Sequence, residues 1–124
     1  MCANCYWDGG TKTFKPYTGI QASNYGASLD VCAIGEGSET VLAACTSGAT
    51  NCAFGGTSSA AAAVSGTVAL MLTAKYCLSS DQLRMVLAAS TDPYDFTTPH
   101  GREYGTGVLN AFQAVTGAIN TACP

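Results

Sequence analysis

The run Phe54-Gly55-Gly56-Thr57-Ser58-Ser59-Ala60-Ala61-Ala62-Ala63-Val64-Ser65-Gly66 constrains this chain more than any other stretch, because it places a serine between paired glycines and a run of small residues. Gly55 and Gly56 permit a tight backbone approach, and the alanines that follow open a helix. Ser58 then falls in the first helical turn, where backbone amides lack intrahelical partners and the positive end of the helix dipole lies. A hydroxyl held there is placed for nucleophilic attack, since the free amides can stabilise an oxyanion forming beside it, worth roughly 3 kcal/mol for a single donor. The same residues serve equally well as a helix cap, and taken alone they leave both roles open.

The helix launched near Ser58 is expected to carry an apolar face of Val64, Val68, Met71 and Leu72, spaced at i, i+4, i+7 and i+8, with alanines elsewhere. Ser79-Ser80-Asp81-Gln82 spells a capping box that starts a second helix with the stripe Leu83, Val86 and Leu87. A third helix is predicted after Gly107, with Leu109, Phe112, Val115 and Ile119 facing inward. Leu29 to Ala33, Glu39 to Ala44 and Cys52 to Phe54 read as strands. Asp8-Gly9-Gly10 and Lys15-Pro16-Tyr17-Thr18-Gly19 read as turn-rich and irregular. The uncharged interval from Val41 to Ala74 is broken by glycine, serine, threonine and cysteine, so no transmembrane helix is expected.

With 124 residues the chain has room for one core. Only 10% of its residues are charged and the net charge is −3, which leaves no basic surface for a phosphate backbone and argues against nucleic acid as a partner. No cofactor motif or metal-ligand spacing is found.

Seven cysteines point to an oxidising, extracellular compartment. Cys45 and Cys52 flank a short loop between two strand candidates and are expected to bridge. The odd total leaves one thiol over, either a buried cysteine such as Cys32 or one whose mate lies in a segment not present here. Cys2-Ala3-Asn4-Cys5 has the spacing of a redox pair or half a zinc site, but no helix pattern follows and no second pair accompanies it, so a structural bridge or an untethered terminus is expected. The first residues lack a basic start and an apolar run, so the secreted composition implies a chain that continues upstream of Met1.

Three segments, in order, resemble the subtilisin-like serine proteases. Gly56, Thr57, Ser58, Ala60, Val64 and Gly66 match the family's serine motif, Gly-Thr-Ser-x-Ala-x-Pro-His-Val-x-Gly. Ser23-Asn24-Tyr25-Gly26 with Leu29-Asp30-Val31-Cys32-Ala33-Ile34-Gly35 is similar to the strand leading to that motif, and Tyr104-Gly105-Thr106-Gly107-Val108-Leu109-Asn110-Ala111 to the element that begins the closing helix. The departures are Ala62 and Ala63 in place of proline and histidine, and Ile34 in place of proline.

The resemblance implies an α/β fold, the C-terminal part of a subtilisin-like parallel-sheet domain occupying residues 1–124, with short strands followed by three helices. It implies peptide-bond hydrolysis through an acyl-enzyme on Ser58, with Thr57 supporting the oxyanion hole, no cofactor or metal, and polypeptides as substrates. The family's triad aspartate and histidine lie on earlier segments that do not precede Cys2 here. The only histidine, His100, follows the serine and sits between Pro99 and Gly101, as a loop residue does, and Asp30, Asp92 and Asp95 are read as turn or solvated residues. The missing N-terminal part of the domain is therefore the expected partner, and the chain alone is expected to be inactive and adhesive through bared apolar surface. Neither membrane nor nucleic acid is expected as a partner. The alternative from another class is a small secreted, disulfide-stabilised binding module without catalysis.

Overall fold

The computed structural model describes residues 2–8, 10–11, 13–16, 25–35, 41–43, 48, 52–93 and 103–124. Strand β3 (Val31–Ile34) is the axis of the molecule, flanked in parallel by β1 (Cys2–Asp8) and β7 (Val108–Leu109). Two antiparallel strands, β2 (Thr13–Pro16) and β6 (Thr91–Asp92), close the edges of a sheet ordered β2-β1-β3-β7-β6. Strands β4 (Val41–Ala43) and β5 (Cys52–Phe54) form a separate antiparallel pair. The expected parallel arrangement is thus present in β1, β3 and β7, and the pairings at the two rims are antiparallel.

Of the residues read as irregular near the N-terminus, Asp8, Gly10, Lys15 and Pro16 belong to a hairpin, and Gly9, Tyr17, Thr18 and Gly19 lie outside the described residues. Strands β1 and β2 pair from Cys5 opposite Pro16 to Asp8 opposite Thr13, around a turn through Gly10 and Thr11. The Cys2-x-x-Cys5 motif therefore lies within an extended strand rather than before a helix, which removes the backbone context of a redox motif. Ala43 lies opposite Cys52, so the strands flanking the predicted Cys45–Cys52 bridge do adjoin. The bridge itself, His100 and Asp95 lie outside the described residues.

Strand β3 is buried on both faces, as its short apolar run requires. Val31 meets Met71, Leu78, Leu87, Ala114 and Ala118, so α1 (Gly56–Ala74), α2 (Ser80–Ala89) and α3 (Ala111–Asn120) all contribute to that core. On the opposite face Cys32, a fully buried thiol, packs with Tyr104 and Val108. The capping box at α2 forms as read: the Ser79 hydroxyl accepts from the Gln82 amide at 3.2 Å, and Gln82 Oε1 accepts from the Ser79 amide at 3.0 Å.

Two predicted faces need correction. In α3, Phe112 is 81% exposed and Ile119 54% exposed, whereas Ala114 and Ala118 are fully buried. Leu109, expected at the start of that helix, belongs to β7. The cause is packing distance: a Cβ on Gly117 would lie 2.9 Å from Val86 Cγ1, so α2 and α3 approach too closely for large side chains between them. In α1 Met71 is buried and Val64 and Val68 pack against the core, but Leu72 is exposed. With 19 residues and a mean hydropathy of 1.3, α1 is long and apolar enough to cross a bilayer by length and composition alone. Here it rests on the sheet and buries Ser59, Ala60, Thr67 and Met71 in the protein interior.

A disulfide joins Cys77, in the α1–α2 turn, to Cys123, beyond the end of α3, across 46 residues of sequence. Spacing gave no hint of this pair, because the two cysteines become neighbours only once α3 has docked.

Candidate functional site

The first turn of α1 is shaped by its glycines. Gly55 is the extended N-cap and Gly56 has φ of +78°, a left-handed conformation that a residue with a Cβ adopts only at a cost. The Gly56 amide donates to the carbonyl oxygen of Gly35 at 2.7 Å, which fixes the helix start to the end of β3. Thr57 and Ser58 follow, both exposed. No side chain caps the helix and no acidic residue lies in its first turn, so the helix itself carries nothing there that offsets the positive end of its dipole. Ser58 is therefore a solvent-facing hydroxyl at an electropositive helix start. The capping role that the residues also permitted is not the one adopted.

The segment running from Tyr25 to Gly35 and that running from Glu103 to Asn110 interlock beside this turn. Gly26 donates to the Glu103 carbonyl at 2.8 Å, Cys32 to the Gly107 carbonyl at 2.8 Å, and the amide and hydroxyl of Thr106 to the Asp30 carbonyl at 3.1 and 3.2 Å. Tyr25 and Tyr104 meet edge to face with ring centroids 6.3 Å apart, and burial raises the pKa of the Tyr104 phenol. The three motif-bearing segments thus form one continuous structural unit, joined to Ser58 through Gly35.

The aspartates have other work. Asp30 pairs with Arg84 at 2.6 Å, and that hydrogen bond holds its carboxyl below the usual range. Asp92 accepts from Asn110 Nδ2 at 3.1 Å through both carboxylate oxygens and from Gln113 Nε2 at 3.4 Å, which ties β6 to the start of α3. Both carboxylates are thus engaged by side chains of α2, β7–α3 or α3. No cluster of three or more metal-ligating side chains occurs among the described residues.

Sequence reasoning passed over Ser59. It is fully buried and its Oγ has no hydrogen-bond partner, although Thr67 and Thr73 on the same helix bond back to the carbonyls of Ala63 and Ala69. An unsatisfied buried hydroxyl costs about 1–3 kcal/mol. Ser59→Ala is therefore expected to raise the denaturant midpoint of the chain, by about 1 kcal/mol of stability. A fall instead would mean that the hydroxyl is bonded in solution.

The subtilase family model matches residues 16–111. The chain belongs to the subtilase family. No curated protein sequence matches it. Among solved structures it is similar to the A-subunit of the AB5 toxin from E. coli, at 26% identity and a TM-score of 0.75 over 95% of this chain and 37% of that one. It is similar to a protease from Pseudoalteromonas arctica PAMC 21717, at 30% identity and a TM-score of 0.60 over 78% of this chain and 31% of that one. The keratinolytic, subtilisin-related fervidolysin from Fervidobacterium pennivorans shares the fold, at 23% identity and a TM-score of 0.71 over 99% of this chain and 19% of that one. This subtilase chain therefore has a subtilisin-like α/β fold and spans well under half the length of each of these neighbours.

Proposed function

We propose that this chain is the nucleophile-bearing C-terminal segment of a secreted subtilisin-like serine endopeptidase, inactive until the rest of the domain is supplied. The observation that carries the reading is the exposed Ser58 hydroxyl at the uncapped, electropositive start of α1, within the Gly56-Thr57-Ser58 motif. Ser58 Oγ attacks the carbonyl carbon of a scissile peptide bond while a base removes its proton. The Ser58 amide donates to the oxyanion, with Thr57 supporting that hole. The base then protonates the leaving amine as the C–N bond breaks, and water hydrolyses the resulting ester to regenerate Ser58. A serine hydroxyl is a weak nucleophile without such a base, and the family's histidine and aspartate lie on segments absent from this chain.

The outer face of α1 supports a missing partner layer. No charged residue occurs from Gly56 to Ala74, yet Ala61, Ala62, Ser65, Gly66, Ala69, Leu70 and Leu72 are exposed. Gly66 is mid-helix, and a Cβ built there meets nothing within 4 Å, so packing among the described residues gives no reason for a glycine. A backbone from the remaining domain, lying against that face, supplies one. Gly66→Ala is expected to stabilise the isolated chain by about 1 kcal/mol through helix propensity, and to weaken its association with the rest of a subtilisin-like domain. Unchanged association in a pull-down would remove α1 from that interface.

The reading is tested by fluorophosphonate labelling. The chain alone is expected to stay unlabelled, the completed domain to label, and Ser58→Ala to abolish that labelling. A completed, folded domain that does not react would overturn the assignment.

A further inference from the structure

Helix α3 is fastened at both ends as well as along its inner face. Its fully buried residues are the alanines Ala114 and Ala118, with Val115 half-buried against the core, while Phe112 and Ile119 point outward. At the N-terminal end Asn110 and Gln113 donate to Asp92. At the C-terminal end the Cys77–Cys123 disulfide ties the tail to the α1–α2 turn, assisted by Gln82 Nε2, which donates to the Ala122 carbonyl at 2.9 Å. Cys123 is exposed and Cys77 half-buried, so the bond is open to attack, whereas Leu78 beside Cys77 is buried in the core that α3 covers.

We propose that α3 is a redox-sensitive strap: reduction of Cys77–Cys123 releases the C-terminal end of α3 from the core while α1 and α2 keep their packing. A dithiol reductant supplies the two electrons. Its thiolate attacks Cys123 Sγ, the S–S bond breaks and Cys77 leaves as a thiolate that takes up a proton. The reductant's second thiol then displaces Cys123 as a thiol and closes the reductant into its own disulfide. The inference is independent of the catalytic role given to Ser58.

Hydrogen exchange on the completed domain, comparing the wild type with a Cys77→Ser/Cys123→Ser double variant, tests it. Amides of residues 114–119 are expected to lose about 100-fold in protection, and those of residues 66–72 less than about tenfold, as for release of one cooperative unit. Unchanged protection in α3, or equal loss in α1 and α3, overturns the proposal. Should the double variant fail to fold, a brief dithiothreitol pulse on folded wild-type protein, followed by alkylation, reads the same question. Labelling of Cys77 and Cys123 while α1 amides stay protected supports the strap, and labelling only after α1 has exchanged refutes it.

Discussion

Once the domain is completed, Ser58→Ala is expected to lower the rate of peptide hydrolysis by on the order of a millionfold, the scale on which loss of a serine nucleophile disables the machinery acting with it. The expectation rests on position. The alanine variant keeps the helix start, since Gly55 and Gly56 set the backbone there and the Gly56 amide stays on the Gly35 carbonyl. It removes only an exposed hydroxyl that caps nothing, so the fold and its stability are expected to change by less than about 0.5 kcal/mol. A large loss of kcat with an unchanged unfolding midpoint is the signature of a nucleophile. A variant that keeps activity within tenfold of the parent would show that another group attacks the substrate.

The second large effect is structural and lies at Gly107. A Cβ there would sit 2.5 Å from the Asp92 carbonyl oxygen, 2.7 Å from Thr91 Oγ1 and 2.9 Å from Thr91 Cβ. The Thr91 hydroxyl can rotate, but the Asp92 carbonyl belongs to the backbone of β6, where Asp92 pairs with Val108. Relief therefore requires moving β6 off β7, which also loosens the bonds from Asn110 and Gln113 to Asp92 and the bond from Cys32 to the Gly107 carbonyl. Gly107→Ala is expected to destabilise the chain by about 3 kcal/mol, the upper range for overpacking, which lowers the melting temperature by roughly 10 °C or more in a domain of this size. A loss below 1 kcal/mol in a denaturant titration would mean that the strand pair yields easily.

The same contacts show how much of this protein was legible before folding. The Gly-Thr-Ser stretch, the capping box at Ser79 and the strands around Val31, Leu42 and Ala53 were readable because each is a local signal, confined to a few residues that act on their own backbone. The three family-like segments were readable as motifs. That they form one unit became visible only in the bonds from Gly26 to Glu103, Thr106 to Asp30 and Gly56 to Gly35.

The misreadings have two causes. Periodicity assumes that the bulkiest apolar side chains face inward, and in α3 the close approach of α2 reserves the interior for Ala114, Gly117 and Ala118 while Phe112 is turned out. The hairpin of β1 and β2 was hidden because Gly9, Gly10 and Pro16 read as breakers, although Pro16 stands at the end of a strand on the sheet's rim, where a missing amide is tolerated.

Residue order alone settled the subtilisin-like class, the starts of α1 and α2 and the position of Ser58 in the first turn of α1, since backbone conformation and capping respond to neighbours along the chain. Tertiary structure decided which face of α3 is buried, that Cys77 meets Cys123, that Asp92 serves Asn110, and that the Ser59 hydroxyl is left without a partner. These depend on distances between elements far apart in sequence, and such distances are set by how closely whole helices and strands can pack.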